Sequence, residues 1–136
     1  MRKAKSCSAA PVASSTSTST STFTKLGADG RFLFTTDFGN SDYPPQLIAG
    51  DSAGNVFVGG DKMVGTATSW EVFVRRFDAS GVEQNRWPIA SDDRDVAYEM
   101  AVDASGAAIV VGDAAGTLPG QTAFGGHDAF VARISP

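Results

Sequence analysis

His127 is the only histidine in the 136-residue chain, and its residue type suggests a general base or a metal ligand. No Cys or Glu accompanies it at metal-ligand spacing, so the sequence writes no zinc site. Within Gly125-Gly126-His127-Asp128 it reads as a turn residue. A Ser-His-Asp triad needs no adjacency along the chain, so a hydrolase using His127 stays a third reading, although no G-x-S-x-G elbow is present. Three loops, Asp51-Ser52-Ala53-Gly54-Asn55, Asp78-Ala79-Ser80-Gly81 and Asp103-Ala104-Ser105-Gly106, raise the question of calcium. That ion takes roughly six to eight oxygens from several alternating carboxylates. Each loop offers a single carboxylate, which fits an Asp bonding turn amides beside a Gly at positive φ. Ser91-Asp92-Asp93-Arg94-Asp95 is the densest acidic run; it suits a solvated loop better than a cation site between sheets. Gly59-Gly60-Asp61-Lys62 is too short for a phosphate loop. Trp70 and Trp87 are the candidate ligand-binding residues, because aromatic faces serve as sugar platforms; they equally suit the covering of a sheet. No catalytic residue, metal ligand or cofactor is assigned, and the expectation is a protein that is not an enzyme.

The elements that must carry these residues are short strands. Apolar residues make up 42% of the chain, enough for one ordinary domain with a modest core. Fifteen glycines fall between short apolar runs, which predicts many turns and an all-β class. The net charge of −4 and pI of about 4.7 argue against nucleic acid as a partner, since phosphate binding rests on Lys and Arg. Cys7 stands alone and makes no internal disulfide. Arg2-Lys3-Lys5 resembles the basic start of a signal peptide, but no apolar run follows, which argues against export of this chain as written. No stretch approaches the ~20 apolar residues of a membrane helix.

Residues 1–22 are expected to be a largely unstructured tail, with the Ser/Thr tract Ser14–Thr22 reading as a linker or a glycosylated stalk. Residues 23–136 follow as short strands and turns. Phe23–Leu26 and Arg31–Phe38 are candidate strands around Ala28-Asp29-Gly30, and Phe32, Phe34 and Phe38 share one parity. Pro44-Pro45 interrupts. Leu47–Asp51, Asn55–Gly60, Val72–Asp78 and Val82–Ile89 come next, then Met100–Asp103, Ala108–Val111 and Asp128–Ile134. In Val72–Asp78, Phe73, Arg75 and Phe77 fall on one face and Val74 and Arg76 on the other. No window offers a capped amphipathic helix.

The strands repeat. Asp51, Gly54 and Gly60 recur as Asp103, Gly106 and Gly112 at an offset of 52 residues. Phe73-Val74-Arg75-Arg76-Phe77 recurs as Phe130-Val131-Ala132-Arg133-Ile134 at 57, the difference being an insertion in Ala114–Gly126. A period of ~50 residues with four strands per copy is the signature of a β-propeller blade.

From Asp103 and Gly106 through Gly112, Gly125-Gly126 and Asp128-Ala129-Phe130-Val131-Ala132-Arg133, the last copy resembles the bacterial SBBP (seven-bladed β-propeller) repeat. The middle copy matches at Asp51, Gly54-Asn55-Val56, Val58, Gly60, Phe73-Val74 and Arg76. Pro44-Pro45 and Asn85, where an outer strand usually carries an aromatic, depart from the pattern. The resemblance implies about two blades, as a partial blade 23–40, a blade 43–90 and a blade 95–136, with Leu47–Asp51 and Met100–Asp103 innermost. It implies a scaffold or recognition surface that is bacterial and associated with the cell envelope or exterior. The rival reading is a carbohydrate-binding, lectin-like propeller using inter-blade pockets with Trp70 or Trp87. Propellers take about four to eight blades. Self-association or further blades are therefore expected as partners, three or four copies giving about six or eight blades, besides a glycan or protein ligand.

Overall fold

The computed structural model describes residues 7–8, 21–37, 45–65 and 69–136. The expected tail 1–22 lies outside these residues except at Cys7, Ser8, Ser21 and Thr22, and so do Phe38 and Pro44. The protein is all-β with antiparallel sheets, and no helix occurs among the described residues. The chain divides into two units, residues 1–45 and 46–136.

In the first unit, β1 (Cys7–Ser8), β2 (Thr22–Leu26) and β3 (Phe32–Asp37) form a three-stranded sheet in the order β1-β2-β3. Alternation in β2 aims Phe23 and Lys25 to the same side, and both are buried. The Phe23 ring meets Phe34 edge-on, with centroids 5.7 Å apart, and the Lys25 ammonium lies 5.6 Å from the Phe34 centroid. A bulge between Lys25 and Leu26 shifts the register toward Phe32, which is 65% exposed. Phe34 pairs with Lys25 and Phe32 with Leu26, neighbours that point to opposite faces, so the expected shared face of Phe32 and Phe34 does not form: the bulge resets the parity.

The second unit holds two sheets. β4 (Leu47–Gly50), β5 (Val56–Val64), β6 (Ser69–Phe77) and β7 (Glu83–Ile89) form a four-stranded meander in chain order. β8 (Asp95–Val102), β9 (Ala108–Ala114) and β10 (Asp128–Ile134) form a three-stranded one, with β9 central. Pro88 sits in β7, at the edge of its sheet, the place where strands tolerate proline. β8 begins at Asp95 rather than near Met100, because Val96 and Ala97 extend the pairing with β9. Asp95 is consequently fully buried instead of lying in a solvated loop.

One face of the four-stranded sheet packs on one face of the three-stranded sheet. Phe57, Val72 and Val74 meet Ala97, Met100, Val110, Phe130 and Ile134 in a single core, flanked by Leu47, Trp87 and Ile89. Two glycines face aromatic rings across their strand pairs. Gly60 lies opposite Phe73 and Gly112 opposite Phe130. At Gly112 a Cβ would collide with the Val96 carbonyl oxygen and lie 2.8 Å from Phe130 ring atoms, so only glycine fits.

The hairpin loops repeat one geometry. Gly54, Gly81 and Gly106 donate to the carbonyls of Asp51, Asp78 and Asp103, and those three aspartates donate in turn to the carbonyls of Asn55, Val82 and Ala107. The three glycines have φ of 89°, 93° and 83°. This is a turn with Asp first and a left-handed Gly last, closed as a three-residue hairpin loop.

Candidate functional site

Each aspartate of these loops is engaged by its own turn. Asp103 Oδ1 accepts from the Ser105 amide at 2.8 Å, the Ser105 hydroxyl at 2.6 Å and the Ala107 amide at 3.1 Å. Arg133 Nε donates to its other oxygen at 3.2 Å. The Ser105 hydroxyl first, then the Ala107 amide, hold the Asp103 carboxyl down at about 2. Asp78 is bonded in the same way by Ser80 and Val82, and its carboxyl is also lowered, mainly by the Ser80 hydroxyl. In the first loop, the Asn55 amide and side chain bond Asp51 at 2.9 and 2.6 Å. These carboxylates shape hairpins, as the single-carboxylate spacing suggests.

Residues 91–94 of the acidic run form a folded loop, and Asp95 opens β8. Asp92 Oδ1 accepts from the Thr117 amide at 2.7 Å, and Asp95 Oδ2 from the Ser91 amide at 2.6 Å. Asp95 Oδ1 is buried without a hydrogen-bond partner.

A cavity of about 600 Å³ lies where β7 ends and β10 runs, reaching around the edge of β10 to Ala129 and Val131. Ile89, Leu118, Phe124 and Phe130 give it apolar walls; Gln121 and Asp128 bring polar groups. Its volume falls in the range of small-ligand sites, which run to roughly 300–1,000 Å³. The loop between β9 and β10 forms much of its wall, and that loop is the insertion that changes the repeat offset. Neither tryptophan lines it. Trp87 lies on β7 with its ring stacked near Phe57, centroids 6.5 Å apart, and packs on the core. Trp70 lies half-buried at the start of β6, opposite Met63. Strand parity puts both indoles on the face turned to the second sheet. Trp87 pairs with Val74, four residues along β6 from Trp70, or roughly 13 Å at ~3.3 Å per residue, so no single platform forms.

Two further polar groups were not legible as a site. Asp61 on β5 is 5% exposed, and its Oδ1 accepts from the Ala97 amide of β8 at 2.9 Å. This hydrogen bond joins the two sheets. It forms at a bulge, where Tyr98 is the extra residue between Ala97 and Glu99. Burial raises the Asp61 carboxyl above its ordinary value, against the lowering effect of the Ala97 amide. On the opposite, outer face of the second sheet, Asp113 Oδ1 accepts from the Tyr98 hydroxyl at 2.9 Å, and His127 Nδ1 lies 2.8 Å from Asp113 Oδ2. That hydrogen bond raises the Tyr98 phenol. An aspartate on Nδ1 is the orienting half of a catalytic dyad. Among the described residues no hydroxyl pairs with the imidazole, and no group of three or more His, Cys, Asp or Glu could hold a metal ion. No helix among them is long and apolar enough to cross a membrane.

The fold and these sites define an all-β protein of antiparallel sheets, two of which pack face to face in the second unit. No protein-family model matches the chain, and a search of curated proteins finds no relative.

Proposed function

We propose that the chain is a β-propeller-type repeat module, of the kind the SBBP resemblance suggests, that acts as a non-enzymatic scaffold or recognition surface. The observation that carries this is the recurrence of one hairpin loop and one Gly–Phe pair in the two sheets of the second unit, which pack face to face. At one margin β4 packs against β8, and at the other a cavity of about 600 Å³ opens between β7 and β10. In a propeller successive sheets radiate from an axis, so neighbouring innermost strands lie close, as β4 and β8 do, whereas the layers of a sandwich stay about 10 Å apart throughout. The repeated loops and the repeated Gly–Phe pairs support equivalence of the two sheets. On this reading the partners are further blades, from other copies or a longer protein, together with a glycan or protein ligand, and a bacterial cell-envelope setting is proposed with it. A crystal structure tests the arrangement. Successive sheets rotated about an axis beside β4 and β8 are expected; uniformly spaced parallel layers would overturn it.

The cavity favours a second reading, a lectin-like module with an inter-sheet sugar site. Phe124 stands at its rim, 89% exposed, next to Gln121 and Thr122. A glycan array of wild type, Phe124→Ala and a Trp70→Ala/Trp87→Ala double variant decides. Binding lost only with Phe124→Ala puts the sugar in the cavity, and binding lost only in the double variant puts it on the tryptophans. A blank wild-type array removes the reading. A panel of hydrolase substrates covers the remaining class: turnover that disappears in His127→Ala would overturn the non-enzymatic proposal.

A further inference from the structure

The outer face of the three-stranded sheet repeats the face by which the four-stranded sheet grips its neighbour. At the offset of 52, Phe57 and Asp61 become Ile109 and Asp113; at 57, Val72 and Val74 become Ala129 and Val131. In the four-stranded sheet the earlier members are covered: Phe57, Val72 and Val74 are fully buried in the core against β8–β10, and Asp61 takes the Ala97 amide across the gap. Their counterparts share one face through the pairs Val131–Val111 and Ala129–Asp113, and Val131 is 73% exposed. Asp113 there holds Tyr98 of its own sheet and His127 of the loop before β10, with carboxylate lone pairs to spare for a further donor.

Resting on the repeat-module reading above, we propose that this outer face docks a second copy of the chain. Val131 and Val111 form the apolar part of the face, bordered by Glu99 where the gripping face has Leu47, and Asp113 accepts a backbone N–H of the incoming sheet as Asp61 accepts that of Ala97. A face built to bind a sheet of this repeat takes another sheet of the same repeat, and the chain itself is the source of such sheets. Self-complementary patches would make the contact two-fold, but within the chain the contact joins unlike faces of the repeat, and β3 offers a face unlike that of Val131. On β3, Leu33, the extra residue of the bulge between Phe32 and Phe34, is 52% exposed, and Thr35 beside it is exposed as well. The contact is therefore heterologous, the outer face of one copy against β3 of the next, the type that closes rings or runs on as filaments.

The test is analytical ultracentrifugation of the full chain at micromolar concentration, with circular dichroism to confirm that each variant is folded. Wild type is expected to sediment above the 14.1 kDa monomer. Val131→Asp and Leu33→Asp are each expected to weaken association by about 100-fold or more, because a carboxylate would be buried unpaired. Asp113→Ala weakens it as well, and Val82→Asp on an unrelated exposed position leaves it unchanged. Mixing Val131→Asp with Leu33→Asp restores a 1:1 complex, since each variant keeps one intact surface. A monomeric wild type, association indifferent to Val131→Asp, or no rescue on mixing would overturn the proposal. A monomer whose crystal structure still shows diverging sheets would leave the repeat-module reading standing, which separates the two failures.

Discussion

Asp61 and Gly112 are the residues on which the packing of the two sheets turns. Asp61→Ala strands the buried Ala97 amide and is expected to cost about 1–3 kcal/mol in chemical denaturation. Asp61→Asn keeps an oxygen for that amide and removes the buried charge, so its stability at neutral pH should equal or exceed wild type. Gly112→Ala forces a methyl onto the Val96 carbonyl and the Phe130 ring, an overpacking expected to cost about 1–3 kcal/mol. Gly60→Ala meets its nearest atoms, the Gln46 amide and the Phe73 ring, at 3.3–3.4 Å and should cost distinctly less. Comparing the two melting curves checks the difference. The Asp103 carboxyl, ordinarily near 3.8 and held at about 2 in the fold, binds protons less readily folded than unfolded. Its stabilisation is complete above about pH 4 and is lost as pH falls through about 2. Asp78 acts in the same direction, whereas Asp61, raised by burial, opposes them. Acid titration of stability should therefore be shallower in Asp103→Asn than in wild type between about pH 4 and 2.

The hairpins are the elements most legible in the sequence. Asp first, Gly last and apolar alternation on either side specify a turn through local chemistry alone, and the loops at Asp51, Asp78 and Asp103 take that form. Gly106→Ala meets no close atom but must hold a φ of 83°, so a loss of about 1–2 kcal/mol is expected from backbone strain. Strand bounds were legible where alternation is unbroken, as in Asp128–Ile134. They were not legible at β8, where charged residues precede the apolar run and a bulge breaks the period between Ala97 and Glu99. Sheet order also sets protection. Amides of β5 and β9, each paired on both sides, should exchange with deuterium more slowly than those of β7 and β10 at the margins, as native-state exchange would show.

For the whole molecule, composition decided the class. Many glycines between short apolar runs bring many turns, and a chain of turns and short alternating strands buries its apolar residues as stacked sheets. The acidic balance belongs to this scale as well: light scattering across pH should find the lowest solubility near the pI of about 4.7, where net charge vanishes. The repeat marked Asp61 and Asp113 as equivalent positions but could not give them roles, since a role depends on what faces each carboxylate. Residue types and spacing thus determined the turns and most of the strands, because these rest on interactions within a hairpin; the Gly–Phe pairs and the start of β8 came from the register. Only the tertiary structure decided that Asp61 reaches the Ala97 amide, that Asp113 meets His127, that Trp87 lies on Phe57, and that a cavity opens between β7 and β10. The physical reason is that these contacts depend on register and on the angle between sheets. A single bulge resets the register, and the packing of side chains from distant strands sets the angle.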